Sequence, residues 1–357
     1  MARILVINPG STSTKLALFE DEKGLHQETL RHKTEEASAN LDREEQARFR
    51  REALFEYLTE NNLSIGDLSA LVVRGGLLKP LSSGTYLIND AVYEDLINAK
   101  YGWHASNLGA IIALPIAREA GIPLYTVDPV TVDEFENPAR YSGLEGLERR
   151  SMSHALNMKA VGRLAADRLD KRYEDLNLVI VHLGSGISVS AHRHGNMIDV
   201  NNANEEGPFS MERCGTLPAL SLVSLCYSGQ YNREEAISQL ISKGGIYSYL
   251  GTKDFASVQG AAECGDEQTI EVVEAMAYQI AKEIGAMSTV LNGQVDRIIL
   301  TGGMAHARKF VAMINDKVSF IASMEVFPGE VEMEALAAGA RRVLRGEEQA
   351  LIYYRES

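Results

Sequence analysis

The sequence predicts an α/β protein of two related domains, each a mixed sheet flanked by helices, facing one central cleft. Three observations carry this. First, a strand–turn–strand motif occurs twice. Residues 4–7 (Ile-Leu-Val-Ile) break at Asn8-Pro-Gly-Ser-Thr-Ser-Thr-Lys15 and resume as Leu16-Ala-Leu-Phe19. Residues 178–181 (Leu-Val-Ile-Val) break at His182-Leu-Gly-Ser-Gly186 and resume as Ile187-Ser-Val-Ser-Ala191. Second, each copy is followed by a strand ending in a glycine pair, at residues 71–76 and 298–303. Third, hairpins alternate with helical patterns, which argues against all-parallel sheets. A length of 357 residues suits two domains with a core each.

The elements follow in order. Residues 3–19 read as a hairpin, with a third strand around 24–32. Residues 44–61 have helical spacing and end at Asn61-Asn62. Residues 71–73 form a short buried strand. Residues 90–100 and 105–120 read as helices, the second bent or broken at Pro115. Residues 123–127 form a strand. The stretch 134–150 lacks periodicity and marks the interdomain crossing, giving domains of 1–145 and 146–337, with 338–357 completing the first. A helix at 153–170 with Ser153 as N-cap opens the second half. The hairpin 177–191, polar loops at 201–207 and 210–215, and helices at 217–227 and 233–243 come next. Residues 267–291 form a long amphipathic helix. A strand at 297–300, a helix at 305–313, a strand at 323–327 and a terminal helix at 333–345 complete the chain.

Composition excludes several function classes. The net charge of −14 argues against non-specific nucleic-acid binding, which needs basic surface. It leaves room for a nucleotide site built on a few cations and Mg²⁺. No stretch approaches the ~20 apolar residues of a membrane span, and the first residues carry no signal-peptide pattern. Cys214, Cys226 and Cys264 are odd in number and widely spaced, which suits a reducing cytoplasm rather than a disulfide or zinc framework.

The turns are built for phosphate. Residues 8–15 gather Gly10, the hydroxyls of Ser11 and Ser13, and Lys15. Glycine admits close approach, turn N–H groups and hydroxyls donate to phosphate oxygens, and lysine adds a point charge. Asn8 stands where it can orient hydrated Mg²⁺ or a phosphoryl oxygen. A Walker A loop needs Gly-Lys-Ser/Thr running into a helix. Here Lys15 follows Thr14 and leads into a strand, so that reading fails. In the second copy, Gly184, Ser185 and Gly186 make a tight turn after His182; His182 reads equally as a strand-capping histidine. Residues 301–303, between strand and helix, suit a nucleotide lying across a helix N-terminus.

Taken together, these segments resemble the acetate and butyrate kinase family, of the actin-like (ribonuclease H-like) ATPase and sugar-kinase superfamily. The resembling stretches are residues 6–19 (VINPGSTSTKLALF), 72–78 (VVRGGLL), 103–110 (WHASNLGA), 127–129 (VDP), 151–157 (SMSHALN), 182–192 (HLGSGISVSAH), 211–218 (MERCGTLP), 250–254 (LGTKD), 300–307 (LTGGMAHA) and 329–340 (GEVEMEALAAGA). They run in order through nearly the whole chain. The butyrate branch fits better, because Arg74 replaces histidine in VVRGG and both HLGSGISV and LGTKD have the butyrate-type wording.

The resemblance implies reversible phosphoryl transfer from ATP to butyrate or a similar short carboxylate, giving ADP and an acyl phosphate. ATP, ADP and Mg²⁺ are the implied cofactors, and a homo-oligomer the implied assembly. Kinases for acetate, propionate or branched acids are the alternative; a non-catalytic actin-like ATP-binding protein is the rival of another class. By the resemblance, Arg213 stabilises the transferring phosphoryl group; a loop arginine paired to Glu205, Glu206 or Glu212 is its other reading. Asp128 is the active-site carboxylate, His104 lies near the phosphoryl group, and Asn8 and Glu332 serve Mg²⁺, with Glu330 and Glu334 close in register. Arg150 takes the place of a family histidine, and Arg74 holds the carboxylate with His104. Nucleotide contacts fall to Ser11, Ser13, Lys15, His182, Gly184, Ser185, Gly186, Lys253, Gly302, Gly303 and Met304.

Overall fold

The computed structural model describes residues 1–32 and 42–355. Contacts divide the chain into two compact units: residues 1–132 with 331–357, and residues 133–330. Each is described by itself.

The first unit begins with a three-strand antiparallel meander: β1 (Arg3–Pro9), β2 (Ser13–Glu20) and β3 (Lys23–Arg31). Helix α1 (Arg43–Glu60) starts at Asp42, whose carboxylate caps the N–H groups of Glu44 and Glu45. Strand β4 (Ala70–Val73), fully buried, runs parallel to β1. Then come β5 (Thr85–Leu87), α2 (Asp90–Ile97), α3 (Leu108–Ala120) and β6 (Leu124–Val127), the last parallel to β4. Helix α3 is continuous through Pro115, where the sequence suggests a bend or break. Pro115 lies on the exposed face while Leu114 and Ile116 are buried, so packing holds the helix where a backbone donor is lost.

The second unit contains α4 (Ala155–Arg168), the meander β7 (Asn177–Leu183), β8 (Ile187–Arg193) and β9 (Asn196–Val200), then α5 (Ala219–Cys226), α6 (Arg233–Ile241), α7 (Gly245–Leu250), α8 (Phe255–Glu263), α9 (Glu267–Val290), β10 (Arg297–Gly302), α10 (Arg308–Val318) and β11 (Met324–Pro328). Its division from the first unit lies upstream of the expected crossing because residues 133–140 already bond to it. Glu134 pairs with Lys159 at 2.7 Å, and the Glu136 N–H donates to Ile198 O at 3.1 Å. Ser153 is not the N-cap of α4. His154 stands there without a side-chain cap, and Ser153 Oγ points to Met197 Sδ.

The chain returns to the first unit with α11 (Glu332–Leu344) and β12 (Leu351–Ile352). Gly339 lets α11 lie against β6: a Cβ there would stand 2.8 Å from Val127 Cγ1. The completed sheet has the order β12-β5-β6-β4-β1-β2-β3, and the sheet of the second unit the order β11-β10-β7-β8-β9. In both, a central strand has an antiparallel hairpin partner on one side and two successive parallel strands on the other. The repeat in the sequence is therefore a repeat of topology, with β1–β2 corresponding to β7–β8 and β4 to β10. Among the described residues, no helix is long and apolar enough to cross a membrane.

One buried polar group of the second sheet makes stability depend on pH. His192 on β8 is fully buried, 2.6 Å from both Tyr173 Oη and Ser190 Oγ. Burial, then the charges of Lys159 and Arg163, hold its pKa well below 6.5. The unfolded chain takes up a proton below about pH 6.5 that the folded chain refuses. This stability term is thus complete above pH 6.5 and shrinks on acidification, by up to about 1.4 kcal/mol per pH unit. Urea melts at pH 7.5 and 5.5 should show a steeper loss for the native protein than for His192→Phe; equal slopes would refute it.

Candidate active site

In the first unit, the end of β1 meets the start of α11. Asn8 is buried opposite Lys15 in the hairpin register and donates through Nδ2 to Glu332 Oε2 at 3.1 Å. Arg74, just past β4, grips the same carboxylate with both terminal nitrogens, at 3.2 Å to each oxygen. Asn8, Arg74 and Glu332 thus form one set from three distant segments. Glu334 is exposed, and Glu330 instead faces His182 in the second unit at 3.7 Å. Among the three neighbouring glutamates, Glu332 alone joins Asn8.

The turn between β1 and β2 is closed by the Gly10 N–H donating to Ser13 O at 2.7 Å. Ser11 and Lys15 are exposed and Ser13 is half-buried. Lys15 lies on β2 with no helix after it, which confirms that the turn is not a Walker A loop. Asp128 is buried with φ of 38°, and its Oδ1 accepts the Gly84 N–H at 2.8 Å. His104 is exposed, and its Nδ1 lies 2.8 Å from Ser106 Oγ. Each of these two is thus held by a local bond.

In the second unit, the β7–β8 turn is closed by the Gly184 N–H donating to Gly186 O at 3.2 Å. Ser210 Oγ donates to Ser185 O. Ser210 also receives the Arg213 N–H, which ties the Arg213 loop to the turn. The guanidinium lies directly over Gly186: a Cβ there would collide with Nη1 and stand 2.7 Å from Cζ. The paired-arginine reading of Arg213 fails. Glu205 accepts from Asn202, Glu206 binds Arg149 at 2.9 Å and Glu212 binds Lys253 at 2.7 Å. Among the described residues, no carboxylate pairs with Arg213. Burial pushes its pKa down, and the nearby charge of Glu212 opposes that shift without forming an ion pair.

Gly302 ends β10 with φ of 90°, and a Cβ there would stand 2.8 Å from the Leu183 backbone N and C. Only glycine fits so close to the β7–β8 turn. Gly303 opens onto free space, and Met304 is buried. Lys253 is held by Glu212, and Arg150 is exposed in the loop before α4. Two neighbours escaped the motif reading. His154 stacks on the buried His182 at 3.8 Å between ring centroids, and Asn157 Nδ2 lies 3.0 Å from His182 Nδ1. Both were visible as part of residues 151–157, but only the fold shows them against β7.

Oxygen donors such as the Glu332 carboxylate and Asn8 Oδ1 suit a hard cation. Among the described residues there is no cluster of three or more acidic, His or Cys ligands. Glu332 is also already neutralised by Arg74. Were Mg²⁺ bound here, Asn8 and Glu332 would hold it through water and phosphate oxygens rather than in a protein cage.

The mixed sheets flanked by helices define an α/β protein of the acetate kinase fold. Three solved structures share it. Porphyromonas gingivalis acetate kinase matches 96% of this chain and 100% of its own, with a TM-score of 0.80 at 18% identity. A propionate kinase from Francisella tularensis subsp. tularensis matches 95% and 99%, with 0.76 at 20%. Entamoeba histolytica acetate kinase matches 95% and 98%, with 0.73 at 17%. At these identities the likeness is one of fold. The acetokinase family model matches residues 135–350, more than half of the sequence, and the chain belongs to that family.

The contact at Gly186 yields a prediction. Gly186→Ala should displace the Arg213 side chain and lower ATP-dependent turnover by about 10²-fold, the scale for losing one charge-stabilising donor. The melting temperature should change little, since the guanidinium carries no ion pair there. Turnover within twofold of the native protein would refute a role for this contact.

Proposed function

We propose that this member of the acetokinase family is a carboxylate kinase that transfers the γ-phosphoryl group of ATP to butyrate or a close short-chain acid, reversibly. The observation that carries the reading is Arg213: a half-buried guanidinium with no carboxylate within ion-pair distance among the described residues, lying over a glycine turn. A partly desolvated charge left without an ion pair is costly, and an anionic ligand relieves it.

The chemistry asks little covalent work of the protein. An ionised carboxylate has no proton to lose, so its oxygen attacks the γ-phosphorus without a general base. One P–O bond forms and the bond to the β-phosphate oxygen breaks, releasing ADP. Placement and charge stabilisation supply the rate. In this reading Arg213 meets the charge on the transferring phosphoryl oxygens, and Arg150 and Lys253 add positive potential. The β7–β8 turn with His182, Gly184, Ser185 and Gly186 receives the phosphates, and Gly302, Gly303 and Met304 bound the nucleoside. On the first unit, Ser11, Ser13 and Lys15 contact phosphate. Arg74 and His104 hold the acid, Arg74 exchanging one contact with Glu332 for the substrate carboxylate. Asn8 and Glu332, with Asp128, orient hydrated Mg²⁺, which when bound neutralises phosphate charge.

Butyrate as the acid rests on the wording of the motifs, Arg74 in VVRGG above all. The fold itself is shared with acetate and propionate kinases. A hydroxamate trap with ATP, Mg²⁺ and each acid from two to five carbons, straight and branched, tests both levels. The expected result is acyl hydroxamate from butyrate at the highest kcat/KM, lost by orders of magnitude in Arg213→Ala. Nucleotide binding with no hydroxamate from any acid would overturn the kinase reading. A maximum at acetate or propionate would overturn butyrate alone.

We further infer a cytoplasmic homo-oligomer. The three cysteines are free, as in a reducing compartment. Helix α5 buries none of its residues although it is almost wholly apolar, and Leu220 and Tyr227 are 85% and 88% exposed. No charged residue occurs between Arg213 and Arg233. A surface of that kind lets copies of a chain of net charge −14 meet without like-charge repulsion. Sedimentation should give a dimer or larger, and Leu220→Glu with Val223→Glu should give monomers; a monomeric native protein at micromolar concentration would refute the inference.

A further inference from the structure

Arg50 is the largest fully buried side chain among the described residues, at 1% exposure, and it carries a charge. It projects from α1 toward the back of the β1–β2 turn. Its Nη2 donates to Ser11 O at 3.0 Å, and its Nη1 donates to Ser13 O at 3.2 Å and Thr14 Oγ1 at 3.0 Å. Its Nε is buried with no partner. Among the described residues, no carboxylate pairs with it. Burial alone draws its pKa down to about 10.

This is an expensive arrangement for a structural residue. A buried guanidinium normally faces a carboxylate, and an apolar side chain of similar size is often as stable or more so. Arg50 spends its donors on two carbonyls and one hydroxyl of a turn that Gly10 and Ser13 already close. The equivalent turn of the other unit has the same accompaniment. Arg213 lies on the β7–β8 turn at Gly186, also desolvated and also without a carboxylate. The two arginines come from unrelated places, an N-terminal helix and a mid-chain loop. What the repeated hairpins share is thus a glycine-bearing turn with an uncompensated positive charge against it. A turn meant only to reverse the chain has no use for one, whereas a turn meant to receive an anion does.

We propose that Arg50 is a positioning residue of the β1–β2 turn: it braces residues 11–14 from behind and gives the turn the positive charge that draws phosphate to it. The inference rests on the reading of this turn as a phosphate contact. Arg50 itself touches no ligand. It acts through the Ser11 and Ser13 backbone and through the field it sets up across a few ångströms of low-dielectric protein.

Two kinds of variant separate charge from bracing. Arg50→Gln keeps amide donors and loses the charge; Arg50→Lys keeps the charge and loses the fork. Binding of tripolyphosphate is measured by calorimetry on each full-length protein, with melting temperature alongside. Arg50→Gln should weaken binding about tenfold, and Arg50→Lys should remain within about threefold of the native protein. The salt dependence of binding should flatten in Arg50→Gln only, a readout that bracing alone does not move. Native-like affinity in Arg50→Gln would overturn the proposal, as would equal losses in the two variants. If Arg50→Gln does not fold, Arg50→Met serves as the neutral variant. Failure of both to fold would make Arg50 structural and likewise overturn it. Acyl hydroxamate formation by the native protein reports separately on the kinase reading. Its absence, with Arg50-dependent tripolyphosphate binding intact, removes that reading and leaves this one.

Discussion

A backbone turn can hold a phosphate only if it presents free N–H groups, has no side chain in the way, and has positive charge within reach. In the second unit, the Arg213 guanidinium supplies such a charge, occupying the space that a Cβ on Gly186 would fill. Much of the local structure follows from that contact. Ser210 ties the Arg213 loop to Ser185, and Glu205, Glu206 and Glu212 are each engaged by another partner, so none of them forms an ion pair with the arginine. Gly302, in a left-handed conformation, brings the end of β10 against Leu183, where any side chain would clash. Glycine at these positions is thus a matter of space as well as of backbone freedom.

The first unit solves a related problem with the opposite sign. Arg74 and Glu332 form a bidentate pair, with Asn8 on the same carboxylate. The pair keeps two charges in place without leaving either bare. Glu332 lies in the first turn of α11, so the segment that returns to the first unit brings with it the carboxylate that Arg74 and Asn8 hold. Membership of the acetokinase family gives these two arrangements a shared chemical context, and the fold relatives include acetate and propionate kinases.

The repeated hairpins and the glycine-pair strands were legible in the sequence because apolar runs broken by small residues have few other solutions. Their equivalence extends to strand order, with β4 and β10 each parallel to the first strand of its meander. Strands β5 and β12 were not legible: three and two residues are too short for a period, and their pairing depends on partners far away in the chain. Helices α7 and α8 were lost among loop-like residues for similar reasons. Pro115 misled through a local rule that packing overrides. Ser153 misled because a serine before a helical pattern looks like a cap, whereas here it lies one residue too early. In the candidate site, Asn8, Glu332 and Arg213 were singled out by motif. Arg50 was not, because nothing in the sequence distinguishes one arginine on a charged helix from its neighbours; its burial does.

The most direct measurement of the central claim is a crystal structure with a non-hydrolysable ATP analogue, Mg²⁺ and butyrate. The account predicts phosphate oxygens within hydrogen-bond distance of the Gly184–Gly186 amides and of the Arg213 guanidinium. Phosphates bound elsewhere, with Arg213 still unaccompanied over Gly186, would contradict it.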